Sequence, residues 1–138
     1  MKIIKFGGTS LGTPERMKKA GHLVSHENAV VVLSAISGTT NSLEEIGCLL
    51  INNERKLAKE KIALLKTTYL IFLKGLLIQD IQVKKGIDII EHHFDHIESF
   101  TEDLFTGHEQ KTILAQGELL STALFQLYLE QIKINCCL

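Results

Sequence analysis

The chain has 138 residues, of which 45% are hydrophobic and 22% charged, so it is long enough for one domain with a buried core. Its net charge of −1 provides no strongly basic face, which argues against a nucleic-acid-binding protein. Three cysteines without a regular spacing argue against a secreted disulfide scaffold.

The N-terminal third of the chain predicts two strands joined by a helix. Residues 2–6 form an apolar run that ends at Gly7-Gly8, which is typical of a strand followed by a turn. Thr13-Pro14-Glu15 predicts a helix start, with the threonine as N-cap and the proline at the first helical position, and this helix ends near residues 26–28. The valine-rich run at residues 29–33 predicts a central strand buried on both faces. Strand, helix and strand in this order predict parallel pairing.

The rest of the chain is predicted to be mostly helical. A helix is expected over residues 40–52, and residues 54–105 are almost all compatible with helix, with a break near residues 79–86. A last helix is expected from about residue 108 to residue 130. Residues 133–138 predict the opening of a third strand. Because the chain ends within this apolar run, we expect the sequence to be the first part of a longer protein.

Several other features do not indicate a site. Cys136-Cys137 lies in an apolar run, and we expect both residues to pack as small hydrophobic side chains. Lys66 and Lys74 interrupt the most apolar stretch, so we expect no membrane span and a cytoplasmic location. His92 and His96 share a helix face, but the H-E-x-x-H pattern is absent, and we expect a solvated or partly packed face and no metal site.

The first candidate site follows the first strand. Lys5 lies inside the apolar run, and we expect its ammonium group to reach the loop and neutralise phosphate oxygens. Gly7 and Gly8 permit close backbone approach, while Thr9 and Ser10 add hydroxyl donors. An edge-strand lysine followed by an ordinary turn explains these residues equally well. The segment has neither the Walker A nor the G-x-G-x-x-G spacing, so it predicts neither a P-loop nor a Rossmann site.

The second candidate site follows the second strand. Residues 34–41 are small and rich in hydroxyl groups, and ligands of open α/β sheets bind beyond the carboxyl ends of the strands. Ser34 closes the strand, and Thr39 or Thr40 is expected to cap the next helix, whose free N–H groups attract anions. A simple helix cap after a flexible turn is the alternative interpretation.

The third candidate site lies within the last predicted helix. A glycine inside a helix often marks close backbone approach, and Gly117 occupies such a position. Glu118 and Ser121 lie three residues apart on one helix face. The carboxylate of Glu118 is suited to hold a substrate ammonium group, and the alternative is a solvated glutamate.

In this order, the three segments resemble the aspartate kinases, which belong to the amino acid kinase superfamily. The resemblance rests on KFGGTS at residues 5–10, SAISGTTN at residues 34–41 and QGELLS at residues 116–121. It implies an α/β, amino-acid-kinase-like (carbamate-kinase-like) three-layer fold with a mainly parallel sheet, here incomplete and helix-rich. It also implies that residues 1–138 are the N-terminal portion of the catalytic domain, without its second half and without ACT regulatory domains.

The same resemblance implies an activity. Aspartate kinases use ATP with Mg²⁺ to phosphorylate the β-carboxylate of L-aspartate to 4-phospho-L-aspartate, the first step of lysine, threonine and methionine biosynthesis. Lys5 would be the catalytic residue that contacts the phosphates and stabilises the transferring group. Gly7, Gly8 and Thr9 would line the phosphate cradle.

The resemblance also assigns the substrate side of the site. Ser34 would lie near the aspartate and the γ-phosphate, Thr40 would hold a substrate carboxylate, and Glu118 would bind the α-ammonium group. The 138-residue chain alone is expected to lack activity, and its full-length parent is expected to be a homo-oligomer, with or without a fused homoserine dehydrogenase. The alternatives are a non-catalytic truncated remnant or assembly partner of the same family, and another amino acid kinase.

Overall fold

Two short strands and five α-helices make up the chain in a computed structural model that describes residues 1–138. The first strand, its following turn and the second strand are in the N-terminal third, and the four longest helices follow. The elements are β1 (Lys2–Phe6), a 3-10 turn (Gly8–Leu11), α1 (Pro14–Val24), β2 (Ala29–Leu33), α2 (Thr39–Ile51), α3 (Arg55–Leu76), α4 (Asp80–Ser99) and α5 (Gly107–Gln131).

The two strands pair in parallel, which confirms the predicted βαβ arrangement. The register places Lys5 beside Val32 and Phe6 beside Leu33. The side chain of Thr13 caps α1 by accepting a hydrogen bond of 3.2 Å from the backbone N–H of Arg16, as predicted. The helix therefore starts where the sequence indicates, and it carries the chain back to the start of β2.

The prediction that β2 is buried on both faces is wrong. Val30 and Val32 are 47% and 42% exposed, and Ile3 on the neighbouring strand is 75% exposed. The opposite face, which carries Phe6 and Leu33, packs against the hydrophobic core. A sheet of only two strands with a core on one side leaves its other face open, and we call this surface, formed by Ile3, Lys5, Val30 and Val32, the open face.

The long helical stretch breaks earlier than the sequence predicts. α3 ends at Leu76, and α4 already begins at Asp80, so most of residues 79–86 are helical. The side-chain oxygen of Gln131 accepts hydrogen bonds from the backbone N–H groups of Ile78 and Gln79 at 2.8 and 3.0 Å. This partner lies more than fifty residues away, so no local pattern could have located the break.

The helical boundaries after this break follow local capping. α4 ends at Ser99, so residues 100–105, which the sequence left compatible with helix, lie outside it, and Leu104 is 83% exposed. α5 begins at Gly107 after a capping box. The carboxylate of Glu109 accepts a hydrogen bond of 2.8 Å from the backbone N–H of Thr106, and the Thr106 side chain accepts one from the backbone N–H of Glu109. The predicted last helix is therefore confirmed, with its ends shifted by one residue.

The predicted third strand is not formed. Lys133 has a φ of +62° in the left-handed region, and the backbone N–H of Ile134 donates to the carbonyl of Leu129 at 2.9 Å, which closes α5 and turns the chain. The residues beyond this turn make no ladder with β2. Cys136 and Cys137 are exposed, so the prediction that they pack as core residues is also wrong.

The core is one cluster of 27 buried hydrophobic residues between the helices and the inner face of the sheet. The most extensive helix contacts join α3 to α4, α4 to α5 and α2 to α3. The predicted helix-rich α/β class is confirmed, with a small parallel sheet. None of the helices combines the length and the apolar character that crossing a membrane requires.

Candidate functional site

The first loop leaves β1 in an extended conformation and tightens at once into the 3-10 turn. Gly7 has φ −77° and ψ 167°, and the backbone N–H of Ser10 donates to its carbonyl at 3.0 Å. The guanidinium group of Arg16, on the first turns of α1, donates to the carbonyl of Thr9 at 3.0 Å. Arg16 was missed by the sequence analysis, although it follows the predicted helix start, and it fixes the loop from the side of α1.

The first and second loops lie directly on each other. A Cβ atom at Gly8 would stand 2.8 Å from the carbonyl oxygen of Ala35, closer than real Cβ atoms approach backbone. A Cβ atom at Gly12 would stand 3.1 Å from the Cβ of Ser37. The close packing of the second loop therefore requires a glycine at position 8.

The second loop continues the sheet and then starts α2. The backbone N–H of Ser34 donates to the carbonyl of Phe6 at 3.0 Å, which extends the ladder by one step. The N-cap of α2 is Gly38, at φ +86°, and not Thr39 or Thr40 as predicted. Only glycine enters this left-handed conformation without strain. With no side-chain cap, the backbone N–H groups of Thr40 and Asn41 have no acceptor within the chain.

The third segment docks on the second loop through α5. The Ser121 hydroxyl donates to the carbonyl of Ser34 at 2.7 Å. A Cβ atom at Gly117 would lie 2.9 Å from the Cβ of Ala35 and 3.2 Å from the Cγ2 of Thr39. Gly117 therefore marks a close approach of the helix to the loop, as the sequence predicted, and the three motifs meet at the carboxyl end of the sheet.

A buried pair of hydroxyl groups supports the second loop from α3. The hydroxyl groups of Thr39 and Tyr69 are 2.9 Å apart and hydrogen-bonded, and both residues are buried. Burial raises the pKa of Tyr69 to about 12, and the hydrogen bond from Thr39 opposes this shift while the negative charge of Glu118 adds to it. Tyr69 is not identifiable as a site residue from sequence, because its spacing is that of a core position and nothing local distinguishes it.

The predicted charged and polar contact residues are exposed at this meeting point. Lys5, Thr40 and Glu118 all face solvent. Side chains alternate along a strand, so the side chain of Ser34, two residues after Val32, lies on the same open face as Lys5, which pairs with Val32. Lys5 forms no ion pair and no hydrogen bond with another side chain, so its ammonium group is available to a ligand.

The histidines on α4 have a structural contact near the third segment. Nδ1 of His93 lies 2.7 Å from the side-chain oxygen of Gln116, and because that oxygen can only accept, Nδ1 carries the proton and donates. The amide nitrogen of Gln116 donates to the carbonyl of Thr112 at 3.1 Å. This contact orients the residue that precedes Gly117. No three histidine, cysteine, aspartate or glutamate side chains lie close enough to hold a metal ion.

Sequence comparisons identify relatives over nearly the whole chain. The profile of the amino acid kinase family matches residues 1–138. An aspartokinase of Chlamydia trachomatis is 36% identical over 129 residues, which cover 91% of this chain and 27% of that protein. The chloroplastic aspartokinase 2 of Arabidopsis thaliana is 30% identical over 138 residues, which cover 94% of this chain and 24% of that protein. The chain thus spans about a quarter of the length of these curated relatives.

Solved structures give the same result for the fold. Escherichia coli aspartokinase III in complex with lysine and aspartate superposes with a TM-score of 0.76 at 25% identity, covering 98% of this chain and 30% of that one. The same enzyme in complex with aspartate and ADP gives a TM-score of 0.74 at 25% identity, covering 96% and 29%. The partial coverage fits the N-terminal part of an aspartokinase, and the chain belongs to the amino acid kinase family.

Proposed function

We propose that the chain carries the N-terminal half-site of an aspartate kinase, which transfers the γ-phosphoryl group of ATP to the β-carboxylate of L-aspartate. The observation that supports this function most is the convergence of the three motifs at the carboxyl end of the sheet, where the Ser121 hydroxyl holds the carbonyl of Ser34 at 2.7 Å. Relatives named aspartokinase and a solved aspartokinase that holds aspartate and ADP support the same substrates.

The phosphate side of the proposed site is formed by the first loop. Lys5 would neutralise charge on the phosphate oxygens, and its exposure without an ion pair leaves it able to do so. Gly7, Gly8 and Thr9 would line the phosphates, since the two glycines carry no side chain that would keep a phosphate from the backbone of the turn. Ser34 would lie between the phosphates and the substrate, because it follows β2 on the face that carries Lys5.

The substrate side is formed by α2 and α5. Thr40 would hold a substrate carboxylate through its hydroxyl and through the free backbone N–H groups at the start of α2. Glu118, exposed on α5, would bind the α-ammonium group by an ion pair. These two contacts would hold aspartate at both ends of its backbone and direct its β-carboxylate toward the phosphates.

The proposed reaction requires no acid–base residue from this chain. The β-carboxylate is already ionised at neutral pH and is the attacking nucleophile, so no general base is needed. Rate enhancement would come from alignment of the two reactants and from the positive charge of Lys5 near the transferring group. Mg²⁺ would supply further charge neutralisation at the ATP phosphates, and we assign it no protein ligand among these residues. The placement of this step in lysine, threonine and methionine biosynthesis is part of the proposal.

Isothermal titration calorimetry tests the half-site. The folded chain is titrated with L-aspartate and with Mg·ATP, and the Glu118→Ala and Lys5→Ala variants are titrated in parallel. We expect Glu118→Ala to weaken aspartate binding by roughly 10- to 100-fold, the loss typical of a charge-assisted hydrogen bond, and Lys5→Ala to weaken ATP binding comparably. N-acetylglutamate and UMP should not compete with aspartate.

Two matched variants control for a general change of surface charge. Lys74→Ala and Glu60→Ala each remove one exposed charge on α3, away from the three motifs, and should leave both affinities unchanged. A folded wild-type chain that binds neither ligand contradicts the proposed half-site. Aspartate binding that survives Glu118→Ala contradicts the role of that residue, and competition by N-acetylglutamate or UMP indicates another kinase of the family. Turnover is not expected from residues 1–138 alone.

A further inference from the structure

We propose that Tyr69 is a positioning residue of the site: its buried hydroxyl fixes Thr39, and with it Thr40, in register with α5. The statement about the loop rests on the geometry alone, whereas its consequence for aspartate rests on the proposed function. Tyr69 lies on α3, outside all three motifs, and its hydroxyl group makes a hydrogen bond to the second loop.

The ring and the hydroxyl group of Tyr69 make different contacts. The ring packs edge-on against Phe94 with centroids 5.7 Å apart, and the residue is 2% exposed. A phenylalanine would keep this packing and would avoid burying a polar group. What it would lose is the 2.9 Å hydrogen bond to the Thr39 side chain. The hydroxyl oxygen of Tyr69 therefore contributes to the position of the loop, whereas the ring contributes to the core.

Thr39 links this hydrogen bond to the other two parts of the site. Its Cγ2 lies 3.2 Å from the position of a Cβ atom at Gly117, second only to Ala35 in its proximity to this part of α5. Thr40, the proposed ligand of a substrate carboxylate, is the next residue, and Glu118 follows Gly117 on α5. A displacement of the Thr39 backbone would therefore shift Thr40 relative to Glu118, the two residues proposed to hold opposite ends of aspartate.

The packing between the second loop and α3 is incomplete. A cavity of about 230 Å³ lies between the loop and α3, with Ser37, Gly38 and Thr39 on one wall and Leu65, Thr68 and Tyr69 on the other. The space beside the loop means that the start of α2 has less packing support on this side than a close-packed contact would give. Two side-chain contacts cross this gap: the Thr39–Tyr69 hydrogen bond at the loop, and an ion pair of 2.8 Å between Glu45, further along α2, and Lys61 of α3. Of the two, only the hydrogen bond holds a residue at the start of α2.

Amide hydrogen exchange of the whole chain tests the inference. The reporters are the N–H groups of Thr39 and Ser42, which donate to the carbonyls of Ile36 and Gly38 at 3.0 and 3.1 Å. In Tyr69→Phe we expect their protection factors to fall about five- to tenfold, the effect of losing one buried hydrogen bond, while residues 122–129 of α5 keep theirs. Thr39→Val, which lacks the hydroxyl, should show the same fall in protection. Thr39→Ser, which keeps the hydroxyl, should retain more of the wild-type protection than Thr39→Val does.

Tyr128→Phe is the matched control, since it removes the hydroxyl of the other tyrosine, which lies 3.3 Å from Nε2 of His22. It should leave both reporters unchanged. Unchanged protection at Thr39 and Ser42 in Tyr69→Phe, or an equal fall at residues 122–129, overturns the positioning role. Aspartate affinity is measured alongside: a folded wild-type chain without affinity refutes the proposed function, whereas the exchange data decide on Tyr69 independently.

Discussion

The hydroxyl of Ser121 donates a 2.7 Å hydrogen bond to the carbonyl of Ser34, and this contact joins residues that are 87 positions apart. Ser121 is fully buried, and its hydroxyl also lies 3.1 Å from the carbonyl of Glu118 within the same helix. The contact attaches the helix that carries Glu118 to the loop that carries Ser34. It therefore sets the distance between the proposed substrate and phosphate sides of the site.

Ser121→Ala should destabilise the chain by about 1–3 kcal/mol, because the carbonyl of Ser34 is left without this partner in a partly buried position. Urea unfolding followed by circular dichroism measures the difference. Thr122→Ala is the control, since the Thr122 hydroxyl donates only to the carbonyl of Glu118 in its own helix. Equal losses in the two variants would show that the contact between α5 and the loop contributes nothing specific.

Gly117→Ala should also destabilise the chain, by about 1–3 kcal/mol, although alanine is the better helix former by about 1 kcal/mol. The new methyl group would meet the Cβ of Ala35 at 2.9 Å and push the second loop away from α5. Gly107→Ala, where a Cβ atom meets nothing within 4 Å, should be neutral or stabilising. Thermal unfolding of both variants checks this, and a stabilised Gly117→Ala would refute the close approach.

Alkaline pH should destabilise the chain through Tyr69. Its pKa is about 12 in the native state against an ordinary value of 10.0, so between these values the unfolded state releases a proton that the native state keeps. The contribution is fully present below pH 10 and is lost as the pH rises toward 12, amounting to about 2–3 kcal/mol.

Urea unfolding at pH 9, 10 and 11 measures this slope, and Tyr69→Phe should flatten it. Tyr128, whose pKa burial also raises, provides the comparison, since Tyr128→Phe should leave most of the slope in place. Absorbance at 295 nm follows both phenols directly, because the chain contains no tryptophan. A slope that is identical in the wild type and in Tyr69→Phe would contradict the raised pKa.

The open face of the sheet should cause this 138-residue chain to self-associate. Ile3, Val30 and Val32 are exposed there, and both strands have unpaired edges. Ile3→Lys should shift the distribution in sedimentation velocity toward the monomer without loss of stability. Ile81→Lys, at an exposed position on α4, should not have this effect. A wild-type chain that stays monomeric at high concentration would contradict the expectation.

Local sequence signals predicted the elements well where the determinants are themselves local. Thr13 and Pro14 define the start of α1 because a cap and a fixed φ act within one turn. The valine run predicted β2, but its exposure depends on which elements cover the sheet, and no pattern within the strand records that. The apolar residues after Lys133 were interpreted as a strand, whereas the left-handed Lys133 and the missing ladder leave them irregular.

The candidate site was predictable as three motifs but not as a network. Gly8 and Gly117 could be singled out from sequence, because a glycine in these contexts indicates close approach. Their shared partner, Ala35, and the support of Thr39 by Tyr69 come from contacts between distant elements. A tyrosine at an apolar position of a helix, such as Tyr69, is predicted from sequence to be a core residue. Only the fold shows which loop its hydroxyl group contacts.

The long separation between Ser34 and Ser121 has a consequence for the order of folding. The two strands of the βαβ unit are joined by one helix, whereas three helices, α2 to α4, separate β2 from α5 along the chain. Closing this longer loop costs more chain entropy, so we expect the two sides of the site to meet late in folding. A ligand that contacts both sides would stabilise the docked position of α5, and its affinity would include the free energy of that docking step.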